Sequence, residues 1–229
     1  MIENNLKTVF EFIKNGNNLG EKVSVVGATK MVDVDTINLA VENGLKIVAE
    51  NRVQEFREKN ELISKKAVQH FIGHLQTNKI KYLVGKIELI HSVDSLHLAE
   101  EIDKYCKNKN LVQNVLIEIN IGGELSKSGF DFSNAKENIK KINDQYKNLK
   151  VLGLMAMLPK TDDEKMQEEL CKKMRALYDE MIGLGFDFKF LSIGMSNDYK
   201  VAVKNGSNMI RLGRTIFGER NYGGNYGSF

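Results

Sequence analysis

The chain has 229 residues, 33 Lys+Arg against 30 Asp+Glu for a formal net charge of +3, 42% hydrophobic residues, 19 Gly, one Pro, two Cys and no Trp. Basic residues are interspersed with acids, no apolar run approaches the roughly 20 residues that cross a bilayer, and the start MIENNLKTVFEF lacks a secretory layout, so nucleic-acid and membrane partners are not expected. Cys106 and Cys171 stand far apart, without CxxC or Cys/His spacing, which excludes a disulfide framework and gives no metal site.

In chain order, a helix is predicted from about Asn5 to Lys14, placed to cover the bottom of the fold. Short apolar runs follow at Val23–Thr29, Leu45–Ala49, His70–Leu75, Leu89–Val93, Val115–Ile121, Val151–Ala156, Phe188–Ile193 and Asn208–Leu212. Rich in Val, Ile, Leu and Phe and too short for stable helices, these read as buried strands. The stretches between them read as helices, with start signals at Ser95, at Ser133, and at Thr161 with Glu164 as a capping box. Eight strand–helix units in a chain of this length predict a single (β/α)8 TIM barrel over residues 1–221. The Gly-rich end, 222–229, reads as a flexible tail.

In such a barrel the chemistry sits where strands end and βα loops begin. Lys30 follows the first strand, sharing by alternation the face of Ser24, Val26 and Ala28, whose small side chains leave room above the core. A desolvated lysine amine can attack a carbonyl to form a Schiff base, although a solvated head on a buried stem is the commoner role. Asn51, in AENRVQEF after the second strand, can offer both a donor and an acceptor to a ring, or can cap the following helix. His70 and His74 stand four apart, a chelating step on a helix, but on a strand the rings fall roughly 13 Å apart. His70 is therefore placed in the core and His74 near the rim.

The last two loops are the most informative. LSIGMSND brings Gly194, Ser196 and Asn197 to a helix start, and MIRLGRTIFGER brings Arg211, Gly213, Arg214 and Thr215 to another. Hydroxyl, glycine and arginine at these two loops suit a phosphate, and tight turns are the bland alternative. GGELSKSG, Gly122 to Gly129, lacks P-loop spacing but suits a mobile loop over the mouth, with Lys127 adding charge.

VVGATK, AENRVQE, HFIGHLQTNK, SVDS, LIEIN, SKSGF, GLMAM, LSIGMSNDY and RLGRTIFGER occur in this order over nearly the whole chain. Together they resemble the pyridoxal-phosphate homeostasis proteins, which share the barrel of the alanine racemase N-terminal domain. The resemblance implies pyridoxal 5′-phosphate (PLP) held by Lys30 as an aldimine, with Asn51 and His74 near the cofactor. It also implies that Ser196, Gly213, Arg214 and Thr215 hold the phosphate, and that Arg211 faces the pyridine nitrogen. Arg52 stands where the family more often has Tyr, Ala28-Thr29 where Val-Ser is common, and Arg214-Thr215 where Thr-Ala is usual.

A cationic Arg211 disfavours a protonated pyridine nitrogen and so makes the ring a weak electron sink. The chain also ends soon after its eighth unit, with no room for the second domain that racemases use. The expected protein is therefore a cytoplasmic, monomeric PLP carrier with no catalytic residue of its own, whose partners are apo-enzymes that accept PLP. The alternative is a small amino-acid racemase or a Schiff-base aldolase.

Overall fold

The computed structural model describes residues 1–124 and 127–219. Among them are nine strands: β1 (Ser24–Ala28), β2 (Ile47–Glu50), β3 (Val68–Phe71), β4 (Leu89–Val93), β5 (Gln113–Asn120), β6 (Phe130–Asp131), β7 (Leu149–Ala156), β8 (Phe190–Ser192) and β9 (Met209–Leu212). All but β6 form one closed ring of parallel pairs, completed where β1 meets β9; β6 only flanks the upper end of β5. The helices are α1 (Ile2–Ile13), α2 (Val34–Glu42), α3 (Val53–Lys59), α4 (Leu96–Lys109), α5 (Ala135–Gln145), α6 (Glu164–Gly183), α7 (Tyr199–Lys204) and α8 (Arg214–Phe217). Between β3 and β4 a 3-10 helix, Thr77–Tyr82, stands in for an α-helix. No described helix is long and apolar enough to cross a membrane. The boundary at residue 221 and the tail at 222–229 lie outside the described residues.

Alternation along the strands separates two cores. Val26, Ala49 and Met209 fill part of the lumen, and Leu89, Leu116, Leu152 and Met155 fill another. Val25, Ile210 and Leu212 face outward and pack with Leu6 and Val9 of α1 and Ile37, Ala40 and Val41 of α2. Thus α1 lies along the barrel's flank and does not cover its bottom. The unit after β9 contributes only the four-residue α8, and α1 takes the vacant place over β9 and β1, where Asn5 Nδ2 donates to the Ile216 carbonyl at 2.9 Å.

Ser95 caps α4 as expected, its Oγ accepting from Leu98 N at 3.2 Å. Two other starts move. Asp163 caps α6 by accepting from Met166 N at 3.1 Å, so Thr161 and Glu164 form no capping box. Ser133 sits inside a 3-10 turn, Phe132–Asn134, where Asp131 accepts from Ser133 N at 2.7 Å. In both cases an aspartate close by in sequence competes for the free amides. The third strand also shifts: it begins at Val68 and ends at Phe71, leaving His74 in the following loop. Gly73 explains the early exit, because a Cβ there would stand 1.9 Å from the Asn51 carbonyl oxygen. The chain bends where only glycine lets two backbones approach so closely.

Candidate functional site

The ring order places the ends of β3, β2, β1, β9 and β8 side by side. His74, Asn51, Lys30, Gly213–Thr215 and Ser196 follow those strands respectively, so residues scattered over 30–215 line half of one rim. In register, Ala28 is level with Ala49, and two residues further along lie Lys30 and Asn51. The last ladder bond before Lys30 runs from Thr29 N to the Ala49 carbonyl at 2.9 Å. Lys30 is half-buried in the turn just beyond it, so the turn, and not the pleat of β1, sets its direction.

Two loops meet at the far side of this arc. Thr215 N donates to Ser196 Oγ at 3.2 Å, and Arg214 Nη2 donates to Asn197 Oδ1 at 2.9 Å. Gly194, at φ +107 with a Cβ position 2.9 Å from Tyr199 Cα, allows the turn that carries Ser196 against the start of α8. A hydroxyl, a guanidinium and the amides that open α8 are thereby gathered at one place, a donor set suited to a phosphate dianion.

Below the rim the lumen is polar. Arg211, 5% exposed, donates from Nη1 to the Ser192 carbonyl at 2.7 Å and to Ser192 Oγ at 2.6 Å, and from Nη2 to the Ala156 carbonyl at 3.0 Å. Burial pulls the guanidinium down to about 10, which still leaves it cationic at neutral pH. Ser192 Oγ lies 3.3 Å from His91 Nδ1, and His91 Nε2 lies 3.0 Å from His70 Nδ1. Burial draws both histidines far down, His70 to about 3, so both stay neutral. His70 is thus the hydrogen-bonded core group expected of it. Glu118, 4% exposed on β5, is pushed up to about 7 by burial and then by Asp94, against the pull of Arg211 and His74.

The remaining candidates take separate places. Asn51 is half-buried and its Oδ1 is buried without a hydrogen-bond partner, so it caps nothing; the N-cap of α3 is Arg52. That orphaned acceptor suits a ligand donor. His74 is exposed, and its Nδ1 lies 3.1 Å from Asp94 Oδ2. It lines, with Asn51, Arg52, Arg57, Lys79 and Tyr82, a groove of about 340 Å³ beside the mouth. At the base of the 122–129 loop, Asn120 Nδ2 donates to the Glu124 carbonyl at 2.8 Å and to the Lys127 carbonyl at 3.2 Å. Lys127 pairs with Glu124 and donates to the Leu158 carbonyl at 3.3 Å.

Sequence reasoning missed His91, Glu118 and Ser192. The signal was present for His91 and Glu118, each a polar residue interrupting an apolar strand, LIHSV and VLIEINI. Among the described residues no cluster of three or more His, Cys, Asp or Glu is placed to hold a metal ion, and both cysteines are buried free thiols.

The family model for the alanine racemase N-terminal domain matches residues 2–221. The pyridoxal phosphate homeostasis protein of Aquifex aeolicus is 43% identical over 200 residues, covering 86% of this chain and 87% of the relative. The solved structure of PipY of Synechococcus elongatus with PLP bound is similar at a TM-score of 0.82 and 26% identity, covering 95% of this chain and all (100%) of PipY. An alanine racemase of Clostridium difficile shares the fold, with a TM-score of 0.78 at 14% identity, covering 97% of this chain and 57% of that one.

Proposed function

The chain belongs to the pyridoxal phosphate homeostasis protein family, built on the alanine racemase N-terminal domain, and from that premise we propose that it holds PLP at its barrel rim and serves PLP homeostasis without efficient catalysis of its own. The observation that carries the reading is the meeting of the β8 and β9 loops, Thr215 N on Ser196 Oγ, beside the strand that delivers Lys30. The residues present fit the group. The hydroxyl of Ser196 and the guanidinium of Arg214 would meet its phosphate, the buried Asn51 acceptor without a partner would take a donor, and a cation, Arg211, stands below the rim.

Ser196, Gly213, Arg214 and Thr215 would grip the phosphate, and Lys30 would hold the cofactor covalently through its amine. PLP supplies an aldehyde that condenses with amines and a ring that accepts electrons. Arg211, a buried cation held on three oxygens, would oppose protonation of a ring nitrogen set against it and so would withhold the electron sink that strong catalysis requires. His74 is a neighbour of Asn51 at the mouth. A cytoplasmic monomer that passes PLP to apo-enzymes completes the proposal, in keeping with relatives named for homeostasis and not for a reaction.

Incubation with PLP followed by borohydride tests the reading. The fixed adduct is expected on Lys30 by peptide mapping and absent from Lys30→Ala. Equal occupancy of a fixed adduct in that variant overturns the assignment of Lys30, and steady turnover of amino acids that Lys30→Ala abolishes overturns the carrier role.

A further inference from the structure

Lys59 ends α3 with its side chain only 12% exposed and gives one hydrogen bond to each of three acceptors. These are Glu50 Oε1 at 2.9 Å, Glu55 Oε2 at 2.8 Å and the Thr29 carbonyl at 3.1 Å. An ammonium has three N–H groups, so all are engaged. Glu50 Oε1 also accepts from the Thr29 hydroxyl at 2.7 Å, and Glu55 Oε2 accepts from Met31 N at 2.7 Å. The two carboxylates and the ammonium thus seize Thr29 by its carbonyl and hydroxyl and Met31 by its amide. The residue between them is Lys30.

Two details argue that this cluster does more than stabilise. Met31 has a φ of +59, a left-handed conformation that a side chain disfavours and that persists only where its surroundings over-determine it. Glu50 is 2% exposed and its Oε2 has no hydrogen-bond partner, so the cluster leaves a buried carboxylate half satisfied. Buried ionic groups are poor sources of stability compared with apolar packing. What they do well is fix one geometry, here that of the turn between β1 and α2.

We propose that Lys59, with Glu50 and Glu55, acts as a set of positioning residues that locks the backbone on both sides of Lys30 and so fixes where its amine is presented to the cofactor aldehyde. The inference rests on the PLP reading of Lys30. None of the three needs to touch the cofactor, because the lock acts through Thr29 and Met31.

The test compares Glu55→Leu, which removes the acceptor for Met31 N, with Glu55→Gln, whose amide oxygen still accepts from it. Two readouts are followed: amide hydrogen exchange at Met31 in the cofactor-free protein, and the rate at which added PLP forms its visible band. In Glu55→Leu the amide is expected to exchange at least tenfold faster and the band to form about tenfold more slowly. Glu55→Gln restores both to within about threefold of the wild type, a rescue that a merely structural role does not demand. Should Glu55→Leu fail to fold, Thr29→Val, which replaces by a methyl the hydroxyl that donates to Glu50 and the Ala49 carbonyl, takes its place with slower band formation expected. Band formation at the wild-type rate in a folded Glu55→Leu or Thr29→Val overturns the proposal. Failure of the PLP reading looks different: the wild type itself forms no adduct at Lys30 while its Met31 amide stays protected, which removes the amine's task and the lock's with it.

Discussion

The Arg211 guanidinium donates from Nη1 to the Ser192 hydroxyl at 2.6 Å, and that bond heads a line of polar groups that runs on to His91 and His70. A guanidinium only donates, so the hydroxyl accepts from Arg211 and its own proton can point at His91 Nδ1, 3.3 Å away. In that arrangement His91 carries its proton on Nε2 and donates to His70 Nδ1, which leaves His70 protonated on Nε2 as well.

Nitrogen-15 chemical shifts are therefore expected to show both imidazoles neutral and Nε2-protonated from pH 5 to 8. A signal for either ring as imidazolium, or with the proton on Nδ1, contradicts the relay. Folding carries the same signature. The unfolded histidines bind protons from about pH 6.5 downward whereas folded His70 resists to about 3, so their contribution to stability declines as pH falls through that window.

Glu118 runs the other way. Its folded carboxyl titrates at about 7 against a usual 4.5, so the folded state holds the proton more tightly and stability falls as pH rises from about 4.5 to 7. Glu118→Gln is expected to match the wild type at pH 4 and to exceed it above pH 7 by on the order of 3 kcal/mol in denaturant melts. A difference that stays flat with pH counts against the shift and its cause, burial reinforced by Asp94.

Arg214 is exposed and already donates to Asn197, so its proposed hold on a phosphate would be worth less than that of a buried guanidinium. Arg214→Ala is expected to weaken PLP binding about tenfold while leaving pyridoxal, which lacks the phosphate, unaffected in the same equilibrium titration. Equal weakening of both ligands places Arg214 outside the phosphate site.

Gly73→Ala forces a methyl to within 1.9 Å of the Asn51 carbonyl oxygen, so one backbone must move. The expected cost is about 1–3 kcal/mol, as for an overpacked core, with a drop in PLP affinity because Asn51 shifts with its strand. An unchanged melting temperature shows that the close approach is not needed.

The eight-strand pattern was legible because each buried strand is a short apolar run bounded by polar helix, and all eight runs overlap a barrel strand. The third was misplaced by two residues at its start because Val68-Gln69 carries little apolar signal, and its early exit depends on a contact with Asn51, across the sheet. The flank position of α1 was not legible either, since helix amphipathicity tells that a face is buried but not which neighbour lacks a cover.

Local chemistry, by itself, determined the barrel, the residues at the strand ends and, through their joint order, the family. Residue type and spacing are written in the chain, and strand alternation with the loop position follows from them. Only the tertiary structure decided which polar groups work together: the Arg211–Ser192–His91–His70 chain, the raised carboxyl of Glu118 and the grip of Lys59 on the turn around Lys30. Those depend on distances of about 3 Å between residues up to a hundred positions apart, and on a burial that no short stretch of sequence encodes.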